Sequence, residues 1–242
     1  MNAITTVGLT KKYNSLIAVD GLDLQIRSGE LFALLGVNGA GKTTTVKMLA
    51  CLTRPTAGDA VVGGCSVITD PLGVKSLIGV SPQETAVAPN LTVKENLELM
   101  CSFHGFSKEK RNGLIQTLAK DFGLEDILNR RAGKLSGGYQ RRVSIAMALI
   151  GEPSILFLDE PTLGLDVLVR RELWEVIRKL KGSVTVILTT HYMEEAVALC
   201  DRIGIMKDGR LLTVGTAREL MEMTSTATFE DAFISIVKED KL

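Results

Sequence analysis

Nowhere in the 242 residues is there an apolar stretch of the roughly 20 residues that a membrane-spanning helix requires. The apolar runs at 143–150 and 155–158 are far shorter, so the mean hydropathy of +0.21 points to a buried core instead. The first residues, Met1 to Thr6, lack a basic region followed by an apolar block, and no secretory leader is expected. An excess of charge is missing too: 28 Lys and Arg balance 28 Asp and Glu. This excludes adhesion by bulk charge to duplex nucleic acid or to an anionic bilayer, although it leaves room for a local basic patch. Cysteines are few and scattered. Cys51, Cys65, Cys101 and Cys200 show no paired spacing of the kind that holds zinc, and read as free thiols in a reducing compartment. No repeat, low-complexity tract or Pro/Gly/Ser-rich linker divides the chain. With 45% hydrophobic and 23% charged residues, the sequence predicts a soluble, intracellular globular protein with a substantial core.

The apolar pattern changes along the chain. Leu22, Leu24 and Ile26 alternate with Asp23 and Gln25, which predicts a half-buried strand. Residues 31–35 are continuously apolar and predict a strand buried on both faces. After a glycine-rich loop, 43–52 reads as a helix. Thr92 and Glu95 are spaced as a capping box opening a helix that carries Leu97, Met100 and Cys101. Leu114, Ile115, Leu118 and Phe122 form a second helical stripe. Residues 155–158 and 184–188 are further buried strands. Between them Asp166 opens a helix with an inner face of Val169, Leu173, Val176, Ile177 and Leu180. Apolar runs at 203–206 and 211–214 flank Lys207-Asp208-Gly209-Arg210, a hairpin signal, and Thr216 with Glu219 forms another capping box. The pattern predicts an α/β fold with a mostly parallel sheet, whose ligands bind at the carboxyl ends of strands. Its core spans about 1–89 and 151–242, with a mostly helical insertion over about 90–150.

Three motifs carry chemistry. Gly36-Val37-Asn38-Gly39-Ala40-Gly41-Lys42-Thr43 fits G-x-x-x-x-G-K-[ST] and lies between a predicted strand and a predicted helix. Its glycines let backbone N–H groups curl around phosphate, and the helix points its positive end at the same anion. Lys42 would neutralise the β- and γ-phosphates of a nucleoside triphosphate, and the Thr43 hydroxyl would ligate Mg²⁺. Asp159 stands at the carboxyl end of the 155–158 strand, placed to help hold that ion, and Glu160 follows it, placed to polarise a water attacking the γ-phosphate. Leu135-Ser136-Gly137-Gly138-Tyr139 offers a second anion site, with Ser136 as a helix cap and two glycines freeing backbone amides. Standing alone, it reads better as an ordinary capped helix start with two permissive glycines.

In this order, the motifs resemble those of the ATP-binding cassette family, the nucleotide-binding subunits of ABC transporters, over nearly the whole chain. The resemblance implies a P-loop NTPase core with an N-terminal antiparallel β subdomain and an inserted helical one. It implies ATP and Mg²⁺ as ligands, with Thr44 extending the phosphate loop. Tyr13 resembles the aromatic that stacks on adenine. Gln83 resembles the loop glutamine that meets Mg²⁺ and relays nucleotide state to a membrane partner. Leu165 and Asp166 resemble the loop that contacts the opposite subunit, and His191 the histidine that senses γ-phosphate. His104, the other histidine, reads as structural. The motif from Leu135 to Tyr139 resembles the family signature, which often has Gln where this chain has Tyr139. The resemblance further implies that two cassettes pair head to tail, Ser136 and Gly138 of one completing the site that holds Lys42 of the other. The partner is then a membrane permease at the cytoplasmic face, docked near Gln83 and Leu91-Thr92-Val93. The wording of the chain looks most like exporters of drugs, lipids or polysaccharides. A soluble ATP-driven clamp, such as a translation or DNA-repair factor, is the alternative reading, and it usually carries two cassettes or a long coiled-coil insertion.

Overall fold

The computed structural model describes residues 1–239. Its first sheet has the order β2-β1-β4-β5, built from β1 (Asn2–Tyr13), β2 (Leu16–Arg27), β4 (Ala57–Val62) and β5 (Cys65–Ser66), and every pairing in it is antiparallel. In β2 the buried Leu22, Leu24 and Ile26 alternate with exposed Gly21, Asp23 and Gln25, as the sequence pattern predicts for a strand covered on one face.

The second sheet has the order β10-β9-β3-β8-β7-β6. It comprises β3 (Leu31–Leu35), β6 (Ile78–Ser81), β7 (Ile155–Asp159), β8 (Thr185–Thr190), β9 (Arg202–Lys207) and β10 (Arg210–Gly215). All pairings are parallel except β9 with β10, a hairpin whose turn residues Asp208 and Gly209 both have positive φ. The continuous apolar runs are explained by burial on both faces. Leu31, Ala33 and Leu35 of β3, with Leu156 and Leu158 of β7, enter a core shared with the later helices. Phe32 and Leu34, with Ile155 and Phe157, enter a second core shared with the antiparallel sheet. These doubly buried strands account for the positive mean hydropathy, and no helix among the described residues is long and apolar enough to cross a membrane.

Helices α1 (Lys42–Leu49) and α2 (Pro71–Leu77) lie in the first third of the chain. Residues 90–150 hold α3 (Val93–Phe103), α4 (Lys108–Asp121) and α5 (Gly137–Leu149). Then come α6 (Val167–Arg178), α7 (Met193–Leu199), α8 (Ala217–Met223) and α9 (Phe229–Glu239). Both capping boxes form, at Thr92–Glu95 and at Thr216–Glu219.

Local expectations need correction in three places. Helix α1 ends at Leu49, short of the predicted 52, because Cys51 takes a left-handed conformation (φ 53°) and Leu52 and Thr53 both turn back to the Lys47 carbonyl. Ser136 is the N-cap residue of α5 by backbone position, yet its side chain makes no capping hydrogen bond. Helix α6 stops at Arg178, so Leu180 lies beyond it, and its buried face includes Trp174, which the apolar stripe had left out.

Candidate active site

Four neighbouring strands of the parallel sheet bring the chemical motifs to one edge. The phosphate-loop sequence follows β3, Asp159 ends β7 and Glu160 comes next, His191 follows β8, and Gln83 lies just past β6. In front of that edge is a cleft of about 700 Å³. Its walls include Tyr13, Asn38 to Thr44, Gln83, Glu160 and His191, together with Leu16, Ile17, Ala18, Leu163 and Asp208.

The loop itself demands glycine at two positions. Gly41 has φ 101°, and a Cβ there would stand 2.5 Å from the Ala18 carbonyl oxygen. At Gly36, a Cβ would meet the Met206 carbonyl oxygen at 2.3 Å. Lys42 is buried and folded back on the loop, donating from Nζ to the carbonyls of Gly36 (2.8 Å) and Val37 (3.2 Å). Its Nζ also lies 3.6 Å from Oε1 of Glu160. On the other side, Nδ1 of His191 is 2.9 Å from Oε2 of Glu160. One buried carboxylate therefore sits between an ammonium and an imidazole.

Glu160 is a non-glycine residue with φ 48°, a conformation that persists only where its surroundings enforce it. Thr189 supplies that restraint, because the Glu160 N–H donates to both its Oγ1 (3.0 Å) and its carbonyl (3.1 Å). Asp159 is also buried. Its Oδ1 accepts from the hydroxyls of Thr43 (3.0 Å) and Thr189. A hydroxyl and a carboxylate oxygen in contact form a donor set suited to a small hard cation.

Tyr13 lines the cleft and is partly exposed, with the Lys11 ammonium 4.9 Å from its ring centre. Leu135, Ser136, Gly137, Gly138 and Tyr139 do not line this cleft. They form the start of α5, where Ser136 and Gly137 are exposed, Gly138 packs under Val169, and the Tyr139 ring lies 5.5 Å from the Arg142 guanidinium. Leu165 and Asp166 are likewise outside it. Asp166 caps α6 by accepting from the N–H groups of Leu168 and Val169. His104 is exposed and stacks on Phe106 at 5.5 Å.

Two residues that the sequence did not single out connect these segments. Arg141 of α5 is buried and donates to the carbonyls of Pro82 (2.6 Å) and Gln83, and burial pushes its pKa down. One turn later, the buried hydroxyls of Ser144 and Ser81 meet at 2.9 Å. Helix α5 is thereby fixed to the strand that leads into Gln83.

Comparison with known proteins agrees with this arrangement. The ABC transporter family model matches residues 19–163. The chain is 44% identical over 219 residues to a daunorubicin/doxorubicin resistance ATP-binding protein of Streptomyces peucetius, covering 90% of this chain and 66% of that protein. It is 41% identical over 213 residues to a Nod factor export ATP-binding protein of Burkholderia pseudomallei, covering 88% and 70%. The chain thus spans about two thirds of the length of these relatives. Among solved structures, an ATP-binding subunit of an ABC transporter superposes with a TM-score of 0.86 at 26% identity, covering 97% of this chain and 99% of that one. A dimeric post-hydrolysis ATP-binding cassette bound to ADP and phosphate superposes at 0.80 with 29% identity, covering 88% and 98%. With the phosphate loop, Asp159, Glu160 and His191 gathered at one sheet edge, these matches settle the family: the chain belongs to the ABC transporters, as one of their ATP-binding cassettes.

Proposed function

We propose that this cassette hydrolyses ATP in the cleft at the sheet edge and that the cycle powers a membrane exporter. The observation that carries the reading is the position of Glu160 between Lys42 and His191 beside a phosphate loop. Tyr13 stacks on the adenine, and residues 36–44 wrap the phosphates with backbone N–H groups and the start of α1. Lys42 exchanges its loop carbonyls for the β- and γ-phosphate oxygens. Thr43, Asp159 and Gln83 would hold Mg²⁺, which supplies charge neutralisation at the phosphates. Glu160 orients the attacking water and accepts its proton, and His191 stabilises charge that develops on the γ-phosphate.

The exposed Ser136 and the start of α5 serve the cleft of a second copy. Two cassettes pair head to tail, and Ser136, Gly137 and Gly138 of one, flanked by Leu135 and Tyr139, face the phosphates held by the other. Leu165 and Asp166 line the same interface. ATP bridges the two copies and stabilises the closed pair, and hydrolysis removes that stabilisation. Permease subunits, docked beside Gln83 and Leu91-Thr92-Val93, hold the pair at the cytoplasmic face of the membrane and receive the motion. Export is favoured by the names of the relatives, which describe drug resistance and Nod factor export.

The test is Glu160→Gln. With Mg²⁺ and ATP, this variant should sediment as a dimer and release no phosphate at steady state. A monomer under those conditions, or turnover equal to that of the parent chain, would overturn the reading.

A further inference from the structure

One buried carboxyl group lies outside the cleft and takes no part in the chemistry above. Glu195 is in the first turn of α7 and is fully buried, unlike its exposed neighbour Glu194. Trp174 of α6 donates its Nε1–H to Oε1 of Glu195 at 3.2 Å. The hydroxyls of Thr190 and Thr162 face the same carboxyl group and favour its charged form, whereas burial, the larger effect, disfavours it. Oε2 of Glu195 and Oγ1 of Thr162 are buried without a well-formed hydrogen bond. Such a group is costly to keep in a core, and an apolar side chain of similar volume would be at least as stable there.

What Glu195 touches explains its presence. Thr190 immediately precedes His191, and its Oγ1 accepts from the Tyr192 N–H at 3.0 Å, which fixes the peptide that follows the histidine. The Thr190 hydroxyl proton remains free to point at the carboxyl group. Thr162 is two residues beyond Glu160 and fully buried, and its carbonyl accepts from the Leu165 N–H at 3.1 Å. One side chain thus reaches the segment behind Glu160, the segment before His191 and helix α6. Glu160 is held in a left-handed conformation that needs restraint from outside its own loop.

We propose that Glu195 is a positioning residue for ATP hydrolysis: from beneath the sheet edge it fixes Thr162 and Thr190, and through them the facing geometry of Glu160 and His191. The inference rests on the assignment of hydrolysis to those two residues. It separates a loss of alignment, which lowers kcat, from a loss of nucleotide affinity, which raises KM. Glu195→Ala removes the contacts with both threonines and with Trp174. Glu195→Gln keeps an acceptor for Trp174 and brings an amide N–H for the threonine oxygens.

The experiment measures phosphate release by the full chain over a range of Mg-ATP concentrations, normalised to folded protein, alongside the affinity for trinitrophenyl-ATP. Glu195→Ala should lower kcat about tenfold or more while KM and the analogue affinity stay within about twofold, and Glu195→Gln should recover kcat to within about threefold of the parent. Thr162→Val, which removes only the hydroxyl, should lower kcat several-fold at unchanged KM and carries the test if Glu195→Ala does not fold. Unchanged kcat in Glu195→Ala or Thr162→Val overturns the proposal. So does a fall of kcat and analogue affinity by the same factor. Persistent turnover in Glu160→Gln would instead refute the assignment of Glu160, and the two failures are told apart by which variant keeps its rate.

Discussion

Nδ1 of His191 lies 2.9 Å from Oε2 of Glu160, so the side chain that follows β8 is hydrogen-bonded to the one that follows β7. The tautomer with its proton on Nδ1 donates to the carboxylate and leaves Nε2 for a second partner. Truncation at His191 removes both roles without touching the phosphate loop. His191→Ala should therefore reduce kcat by about 10²-fold, with KM for ATP changed by less than about threefold. Phosphate release at saturating Mg-ATP reads this directly, and an undiminished rate would remove His191 from the reaction.

Tyr13 lines the cleft together with aliphatic Leu16 and Ile17, with the Lys11 ammonium over its ring. An exposed aromatic in that position contributes by stacking, which is worth about 1–3 kcal/mol per base. Tyr13→Ala should raise KM for ATP about tenfold and leave kcat nearly unchanged, while Tyr13→Trp should keep both. Equilibrium titration with a fluorescent ATP analogue separates the two variants.

The two glycines of the signature differ in their surroundings. A Cβ at Gly137 would find only the Leu165 Cδ2, at 3.8 Å, whereas one at Gly138 would meet the Val169 Cγ1 at 2.3 Å. Gly138 thus packs directly against Val169 of α6, with no room for a side chain of its own. Gly138→Ala should destabilise the chain by about 1–3 kcal/mol through overpacking, and Val169→Ala in the same chain should restore most of the loss. Urea unfolding of the single and double variants measures the coupling. Additive losses would show that the strain lies elsewhere.

How far the sequence could be read depended on the distance over which each residue's meaning is set. Lys42, Asp159 and Glu160 were legible because each belongs to a short segment whose strand–loop–helix context is local. The doubly buried strands were legible for the same reason, since a short run that is apolar at every position, such as 31–35, leaves no face for water. Glu195 was not. A glutamate in the first turn of a helix ordinarily reads as a solvated partner of the helix dipole, and nothing nearby in the chain distinguishes it from the exposed Glu194. Its character comes from Trp174, 21 residues away, and from threonines on two other segments. Arg141 is similar, because the carbonyl of Gln83 that it binds is 58 residues distant. Ser136 shows the converse: its sequence position predicts a cap, but the side chain leaves the helix amides free.

Arg141 satisfies two backbone carbonyls at once, those of Pro82 and Gln83, from a buried position. Arg141→Met leaves both oxygens without a donor and should cost about 2–4 kcal/mol of stability in urea unfolding. Lysine carries the charge but lacks the planar fork, so Arg141→Lys should fall between the parent and the methionine variant. A lysine variant as stable as the parent would mean that charge at this site counts for more than the paired hydrogen bonds.

Burial raises the pKa of Glu195, and the nearby charge of Glu160 acts in the same direction, although the Trp174 hydrogen bond and the facing hydroxyls of Thr190 and Thr162 oppose it. A carboxyl group whose pKa is higher in the folded chain than in the unfolded one binds its proton more tightly when folded. Its contribution to stability is therefore fully present below the ordinary carboxylate range and is lost as pH rises through the raised folded value. Glu195→Gln cannot ionise and lacks this slope. Comparison of urea midpoints between pH 5 and 8 should accordingly show the glutamine variant gaining on the parent chain as pH increases. A constant offset across that range would mean that Glu195 titrates alike in the folded and unfolded chains, and a glutamine variant that loses ground to the parent with rising pH would mean that the polar contacts of Glu195 outweigh burial.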